Sequence, residues 1–345
     1  MNKFVRYLNK IFIKCLRLLL IAPKDQKKTC LLLVYAVLVV VLFTTSTYFR
    51  YEYDYKNLSQ GILIMHGLNG IAEFCGFLTV LIILYTYRKT HLWQRLYKII
   101  NVLDEQQCHT IVTVAFFVQI LLISYVTIDW NVRFTSFPEI FLLILTGMSS
   151  YILYIYNLAV HTLYMNIVLE INQKLIIVKS QLNSELITMN VTDMYSFIYQ
   201  AIEGGKIFNR LFGYQLLIYY FQWFLFSLSG LINIVLIMNP ENYNYPTNIL
   251  GNICFFACVF GPCAIAFACD MVATEADKLM AACYAAQEKF HYNSREYQEL
   301  QSLSSILGSG VLKFTAAKFV EIKRSTILSI TAAATTYFIA IVQFY

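Results

Sequence analysis

Near the C-terminus, Thr336-Tyr337 and Gln343-Phe344 set a polar–aromatic pair on each side of the apolar run from Phe338 to Val342. Thr336 and Gln343 are seven apart, as are Tyr337 and Phe344, so on a helix each pair falls on one stripe. Ser329, Thr331 and Thr335 extend the hydroxyls toward the basic start Lys323-Arg324. Such a helix suits the lining of an aqueous pore, with Phe344 as a hydrophobic constriction. The same hydroxyls, with Ala332-Ala333-Ala334, also suit close helix–helix packing in a membrane. In either case the polar stripe is expected to face protein or water rather than lipid.

A second constellation is His66, Asn69, Gly70 and Glu73, spaced to share one helical face. Glu73 is the one acid well inside an apolar span, and an ionisable group at that depth costs about 2.5–3.5 kcal/mol on insertion scales. It therefore faces either a ligand pocket or water path, or a hydrogen bond that locks two helices. Further pocket candidates are aromatic and polar groups in the outer halves of other spans. They are Gln119, Ser124, Tyr125 and Trp130; Thr146 and Ser149; Gln222, Trp223, Phe226 and Asn233; and Asn252, Phe255 and Phe256. Ligand pockets are mostly apolar with a few placed hydrogen-bonding groups, and often lie between helices. Packing and interface-belt roles are the competing reading for many of these residues.

Enzyme chemistry finds no foothold. There is no HExxH pair, GxSxG elbow, GxxxxGK[ST] loop or EF-hand pattern, and the five histidines are scattered. No enzyme activity, cofactor or metal is expected.

The elements that must position these residues follow from composition. Hydrophobic residues make up 59% of 345 and charged residues 13%, against about 25% charge in an ordinary soluble domain. The chain reads as an all-α, polytopic membrane protein. Seven apolar stretches are long enough to cross, near 29–49, 62–87, 111–128, 137–158, 212–238, 248–269 and 325–344. Of the 26 Lys and Arg, only Arg50, Lys56 and Arg133 fall on the side opposite the N-terminus. The positive-inside rule therefore places the N-terminus in the cytoplasm and the C-terminus outside. The net charge of +6 is a topological signal with some attraction to anionic lipid, and does not suggest nucleic acid. Residues 1–28 alternate basic and apolar positions, as in an interfacial amphipathic helix or a simple cytoplasmic flank.

The external connections are short, so no ectodomain is available to capture a large ligand. The cytoplasmic ones read as helical. The fourth helix runs on through His161–Met189, Met194–Leu211 leads into the fifth span, and Met271–Leu303 extends the sixth until Gly308-Ser309-Gly310 breaks it. One domain results: a cytoplasmic N-terminus (1–28), spans one to four (29–158), a helical extension (159–211), spans five and six (212–269), a cytoplasmic helical module (270–323) and a last crossing (324–345). The helical extensions form an anchor module beneath the membrane. Nine cysteines, mostly within spans or on the inner side, are expected as reduced packing residues. Asn57-Leu58-Ser59 is a glycosylation sequon in the first external loop.

The Thr336-Tyr337 … Gln343-Phe344 pattern resembles the C-terminal signature of insect gustatory receptors. Phe314 to Ser325, with Thr315-Ala316, Phe319, a basic residue and Ser, resembles the segment before the last helix in that family. The resemblance implies a ligand-gated cation channel built as a homotetramer, or a heterotetramer with other gustatory receptors, in the plasma membrane of sensory neurons. It implies a small-molecule tastant bound among the outer halves of helices two to six, and membrane lipid around the bundle. It also places Gln343 and Phe344 at the extracellular constriction, supported by Thr336 and Tyr337. Sugar receptors of that family carry an acid directly after the Thr-Tyr pair; here Phe338 stands there, so the chain looks more like the divergent, bitter-like set. An insect odorant receptor is the alternative within the same architecture. A G-protein-coupled receptor would need the opposite orientation and an Asp-Arg-Tyr, and a transporter would show repeats or broken helices.

Overall fold

Three helices much longer than a bilayer is thick organise the chain. The structure is a computed structural model that describes residues 3–19, 21, 29–50, 60–86, 88–99, 109–133, 137–183, 191–238, 247–308 and 312–343. Its helices are α1 (Lys3–Leu18), α2 (Thr29–Arg50), α3 (Gln60–Thr86), α4 (Thr90–Ile99), α5 (Thr110–Arg133), α6 (Phe137–Asn183), α7 (Val191–Met238), α8 (Thr247–Gln287), α9 (Arg295–Gly308) and α10 (Arg324–Gln343). A two-stranded antiparallel hairpin, β1 (Thr315–Ala316) and β2 (Val320–Glu321), precedes α10.

The 47 residues of α6, rising ~1.5 Å each, span about 70 Å, more than twice the ~30 Å of bilayer hydrocarbon. Helix α7 with 48 residues and α8 with 41 exceed it likewise. As far as the described residues reach, every stretch expected to cross lies within a helix, residues 87 and 344 lying outside them; the expected run after the fourth stretch continues in α6 to Asn183, and the one before the fifth is part of α7. Among the described residues, membrane-length apolar windows are His66–Thr86, Ile152–Leu182, Asp193–Ile232 and Arg324–Gln343, with shorter apolar helices at Val34–Thr45 and Ile111–Leu121.

Helix α3 packs most extensively on α7, and α6 on α8. The core outside the expected spans is an aliphatic seam: Ile167, Ile171, Leu175 and Val178 of α6, Ile198 and Ile202 of α7, and Val272, Leu279 and Cys283 of α8. This spacing buries one apolar stripe of each helix against the others, and that burial holds the three helices together.

The structure departs from expectation in four places. The extension of the sixth span stops at Gln287, and a turn leads to α9, whose first backbone groups are capped by Ser294 Oγ accepting from Tyr297 N at 3.1 Å. The segment after α9 is a hairpin, held by α7: Asn209 Nδ2 donates to Lys313 O (2.6 Å), Asn209 Oδ1 accepts from Thr315 N (2.9 Å), and Gly213 O accepts from Ala317 N (2.9 Å). A Cβ at Gly213 would lie 3.1 Å from Ala317 N, so only glycine admits the hairpin this closely. Helix α4, not expected at all, buries Leu92, Trp93 and Leu96, with Trp93 edge-on to Phe212 at 5.3 Å and Arg95 3.2 Å from Glu203. Finally, the apolar face of α1 lies on protein rather than lipid: Phe12, Ile13 and Leu16 are buried, and Phe12 meets Phe116 of α5 with ring centroids 5.1 Å apart.

Candidate functional site

Helix α10 is fixed at its base and open along its length. Arg324 Nε lies 2.8 Å from Asp270 Oδ2, and its guanidinium sits 5.0 Å from the Phe267 ring centroid, tying the first turn to α8. Thr326 Oγ1 donates to Glu321 O at 2.7 Å, and Ile322 N donates to Phe314 O at 2.8 Å, so the hairpin and the helix start form one unit. Above this, Thr326 and Ala334 are the buried residues of α10, and Phe224 of α7 meets Tyr337 edge-on at 5.9 Å. Only 11% of the apolar window of α10 is buried, against 44%, 67% and 61% for the other three windows. A single chain therefore leaves most of this helix uncovered.

The hydroxyls on that uncovered surface are satisfied internally. Ser329, Thr331, Thr335 and Thr336 each donate to the carbonyl four residues earlier, at 3.0, 2.9, 2.9 and 3.0 Å. Their donors need neither water nor a neighbour, so the hydroxyls alone do not force the stripe away from lipid as expected. Gln343 is exposed at the helix end, Tyr337 is 59% exposed, and Phe344 lies outside the described residues.

A second feature lies inside the bundle. Asn157, His161 and Tyr164 occupy one stripe of α6, and Gln222, Tyr219 and Gln215 one stripe of α7. The spacings four-then-three and three-then-four match when the helices run antiparallel, and the residues meet in pairs. The Tyr164 hydroxyl donates to Gln215 Oε1, and the Tyr219 hydroxyl lies 2.9 Å from His161 Nδ1 with ring centroids 3.7 Å apart. The amide nitrogens of Gln222 and Asn157 converge on Gly76 of α3, where a Cβ would lie 2.9 and 3.1 Å from them.

Helix α8 closes this polar ladder from the other side. A Cβ at Gly261 would collide with the Tyr219 hydroxyl and stand 3.1 Å from His161 Nδ1, and Tyr220 donates to Pro262 O at 3.2 Å. Glycine and proline together let α8 approach this closely. Asn157 Oδ1, Gln222 Oε1, Gln215 Nε2 and Trp223 Nε1 are buried without a hydrogen-bond partner among the described residues. The ladder thus carries two acceptors and two donors in an apolar surround, where a hydrogen bond is worth most.

The expected pocket residues divide accordingly. Gln222 belongs to the ladder; Trp223 is buried beside it, with Tyr220 edge-on at 6.4 Å; Phe226 stacks on Tyr154 at 6.3 Å. His66, Asn69 and Glu73 are partly buried on α3, and a Cβ at Gly70 on the same face would meet nothing within 4 Å. Gln119 and Ser124 are partly buried on α5, Ser124 donating to Ile120 O at 2.7 Å. Tyr125 and Trp130 lie on α5, Thr146 and Ser149 on α6, Asn233 on α7, and Asn252, Phe255 and Phe256 on α8. Asn57 lies outside the described residues. Sequence reasoning missed Asn157, Tyr164, Gln215 and Tyr219, and set His161 aside as scattered. The available signal was the mirrored spacing of polar groups on two consecutive apolar helices.

Beneath the ladder, Glu275 of α8 receives Lys179 of α6 and Lys278 of its own helix, the latter at 2.7 Å. Hydrogen bonds from Lys179 and then Lys278 hold its carboxyl below the usual carboxylate range. Among the described residues no group of histidine, cysteine and carboxylate side chains is arranged to hold a metal ion, and Cys15, Cys75, Cys263, Cys269 and Cys283 are free thiols.

The fold has known counterparts. The structure of the insect olfactory receptor OR5 from Machilis hrabei in complex with eugenol superposes with a TM-score of 0.67 at 13% identity, covering 99% of this chain and 98% of that one. A second structure of the insect olfactory receptor OR5 from Machilis hrabei gives a TM-score of 0.64 at 14% identity, covering 94% of this chain and 92% of that one. At such identities the likeness establishes the fold. No curated protein sequence matches the chain. The sequence profile of the 7tm chemosensory receptor family matches residues 24–345, nearly the full length, and the chain belongs to that family.

Proposed function

We propose that this chain is a gustatory-type receptor: a subunit of a ligand-gated, non-selective cation channel in the plasma membrane of sensory neurons, opened by a small bitter-like tastant. The observation that carries the reading is α10, a membrane-length, hydroxyl-bearing helix that its own chain leaves largely uncovered. Around a central axis, four such helices would cover one another and line a water path, with Gln343 and Phe344 at the outer constriction and Thr336 and Tyr337 supporting it. The chain crosses seven times, N-terminus inside and C-terminus outside, and the cytoplasmic helices join it to three further copies or to other gustatory receptors.

The ligand sits among the outer halves of α3, α5, α6, α7 and α8. Eugenol, held by the Machilis hrabei receptor of similar fold, is a small aromatic molecule, and a ligand of that size suits such a site. Gln222 and Trp223 form the lower border of that region and offer an acceptor and a donor to the ligand. To gate, the ligand must bind the open and closed states with different affinity. Helix α7 supplies the mechanical link, since it carries Gln222 and Trp223 and also Phe224, which touches Tyr337. The odorant-receptor alternative shares this fold; Thr336-Tyr337 with Gln343-Phe344 favours the gustatory reading.

The test is whole-cell recording from cells expressing the chain alone, with bitter, sugar and phenolic compounds applied. Ligand-evoked cation current altered by Gln343→Ala supports the reading. Current unchanged by Gln343→Ala and Phe344→Ala would move the pore away from α10. A C-terminal tag that stains only permeabilised cells would overturn the orientation.

A further inference from the structure

Helix α1 carries a three-sector surface that the channel reading does not use. At 100° per residue, Arg6, Lys10, Lys14 and Arg17 fall within an arc of about 80°. All four are exposed, α1 contains no acidic residue, and none of the four forms an ion pair among the described residues. Tyr7 (61% exposed) and Leu18 (78%) border this arc on one edge. The remaining face, with Phe12, Ile13 and Leu16, is occupied by protein. A helix that merely solvated its charges would have no use for an exposed leucine and tyrosine beside them.

The level at which α1 sits decides what the arc meets. Phe12 packs on Phe116, which lies six residues into the apolar helix α5, hence only about 9 Å along it. That is the depth of a membrane boundary rather than of its centre. The cation arc is therefore level with lipid headgroups, and the Tyr7–Leu18 edge is placed to dip into the acyl boundary beside α5.

The geometry points to α1 as a docking site for anionic phospholipid headgroups, with Arg6, Lys10, Lys14 and Arg17 as the phosphate- and carboxylate-binding groups and Tyr7 and Leu18 as the apolar contact. The inference stands independently of pore and tastant, since it needs only that α5 lie in the membrane. Each cation at an anionic surface contributes about fivefold in affinity, so a headgroup engaging two of them gains roughly 25-fold over a neutral lipid.

The test is native mass spectrometry of the full-length protein in detergent with equimolar phosphatidylserine and phosphatidylcholine. The wild type should retain phosphatidylserine at least about tenfold over phosphatidylcholine. Joint replacement Arg6→Gln, Lys10→Gln, Lys14→Gln and Arg17→Gln should bring the two lipids to parity, with phosphatidylcholine occupancy unchanged as the sign of an intact fold. A wild type without preference, or a variant that keeps it, overturns the proposal. Should the variant fail to purify, the wild type in about 0.5 M NaCl decides the matter, because screening within a few ångströms must collapse the preference. Persistence there places the selectivity elsewhere.

Discussion

Replacing Gly261 by alanine tests the polar ladder most directly. In a helix interior, alanine is favoured over glycine by about 1 kcal/mol, so the substitution should stabilise an uncrowded site. Gly205 on α7 is such a site: its added Cβ would stand 3.6 Å from Leu312 Cδ2, an ordinary contact. At Gly261 the Cβ collides with the Tyr219 hydroxyl, which its 2.9 Å contact with His161 Nδ1 holds in place. Overpacking costs about 1–3 kcal/mol, and loss of the Tyr219–His161 hydrogen bond about another 1 kcal/mol. After the helix gain, Gly261→Ala should be net destabilising by about 1–3 kcal/mol. For 345 residues, about 1–2 °C accompanies each kcal/mol, so the apparent Tm should fall by roughly 1–6 °C and that of Gly205→Ala should rise slightly. Thermal unfolding of the full chain in detergent, at one scan rate, measures both. Tyr219→Phe removes the colliding oxygen, so the double variant should lose less than the sum of the single losses. A Gly261→Ala protein as stable as Gly205→Ala, or a strictly additive double variant, refutes the contact as drawn.

Other outcomes follow from single contacts. Asn209→Ala removes two hydrogen bonds that seat the hairpin, so limited proteolysis should cut between residues 312 and 323 sooner, with about 1–3 kcal/mol lost in unfolding. Thr335→Val deletes a hydroxyl bonded only within its own helix, so expression and Tm should stay within about 0.5 kcal/mol of wild type. If α10 lines the water path, single-channel conductance of Thr335→Val should nevertheless fall. Glu275 has its proton affinity lowered by Lys179 and Lys278, so its stabilising effect is full above the ordinary carboxyl pKa of 4.5 and is lost as pH falls below it. Between pH 6 and pH 3.5, Glu275→Gln should therefore lose less stability than wild type, by up to about 1 kcal/mol. An equal acid loss in both proteins would mean that the triad does not act as drawn.

The spans were legible because a membrane helix advertises itself: about twenty apolar residues in a row leave few alternatives. The buried seam of α6 after the fourth apolar stretch was legible too, since Ile167, Ile171, Leu175 and Val178 keep helical spacing amid polar neighbours. Helix α4 was not. Its buried face is only Leu92, Trp93 and Leu96 in ten residues, too short for periodicity to stand out. The hairpin escaped for a different reason. Two-residue strands carry no pattern of their own and exist because Asn209 and Gly213, about a hundred residues earlier, supply their hydrogen bonds. The ladder lies between these cases. Asn157, His161 and Tyr164 are visible as a stripe, yet a stripe does not name its partner, and pairing with Gln215, Tyr219 and Gln222 is a fact of antiparallel register.

The inward-turned hydroxyl protons of α10 give its surface a sign. With each proton committed to the carbonyl oxygen four residues toward the amino end of its own helix, Ser329, Thr331, Thr335 and Thr336 present only oxygen lone pairs outward. Such a surface has negative partial charge without any ionised group, and it attracts the positive ends of water dipoles and small cations while offering nothing to anions. At 100° per residue these hydroxyls form two sets, Ser329 with Thr336 and Thr331 with Thr335 on the opposite face, and two copies of either set brought face to face would put acceptor against acceptor. Identical helices arranged about an axis would hence keep a layer of water, or an ion, between them.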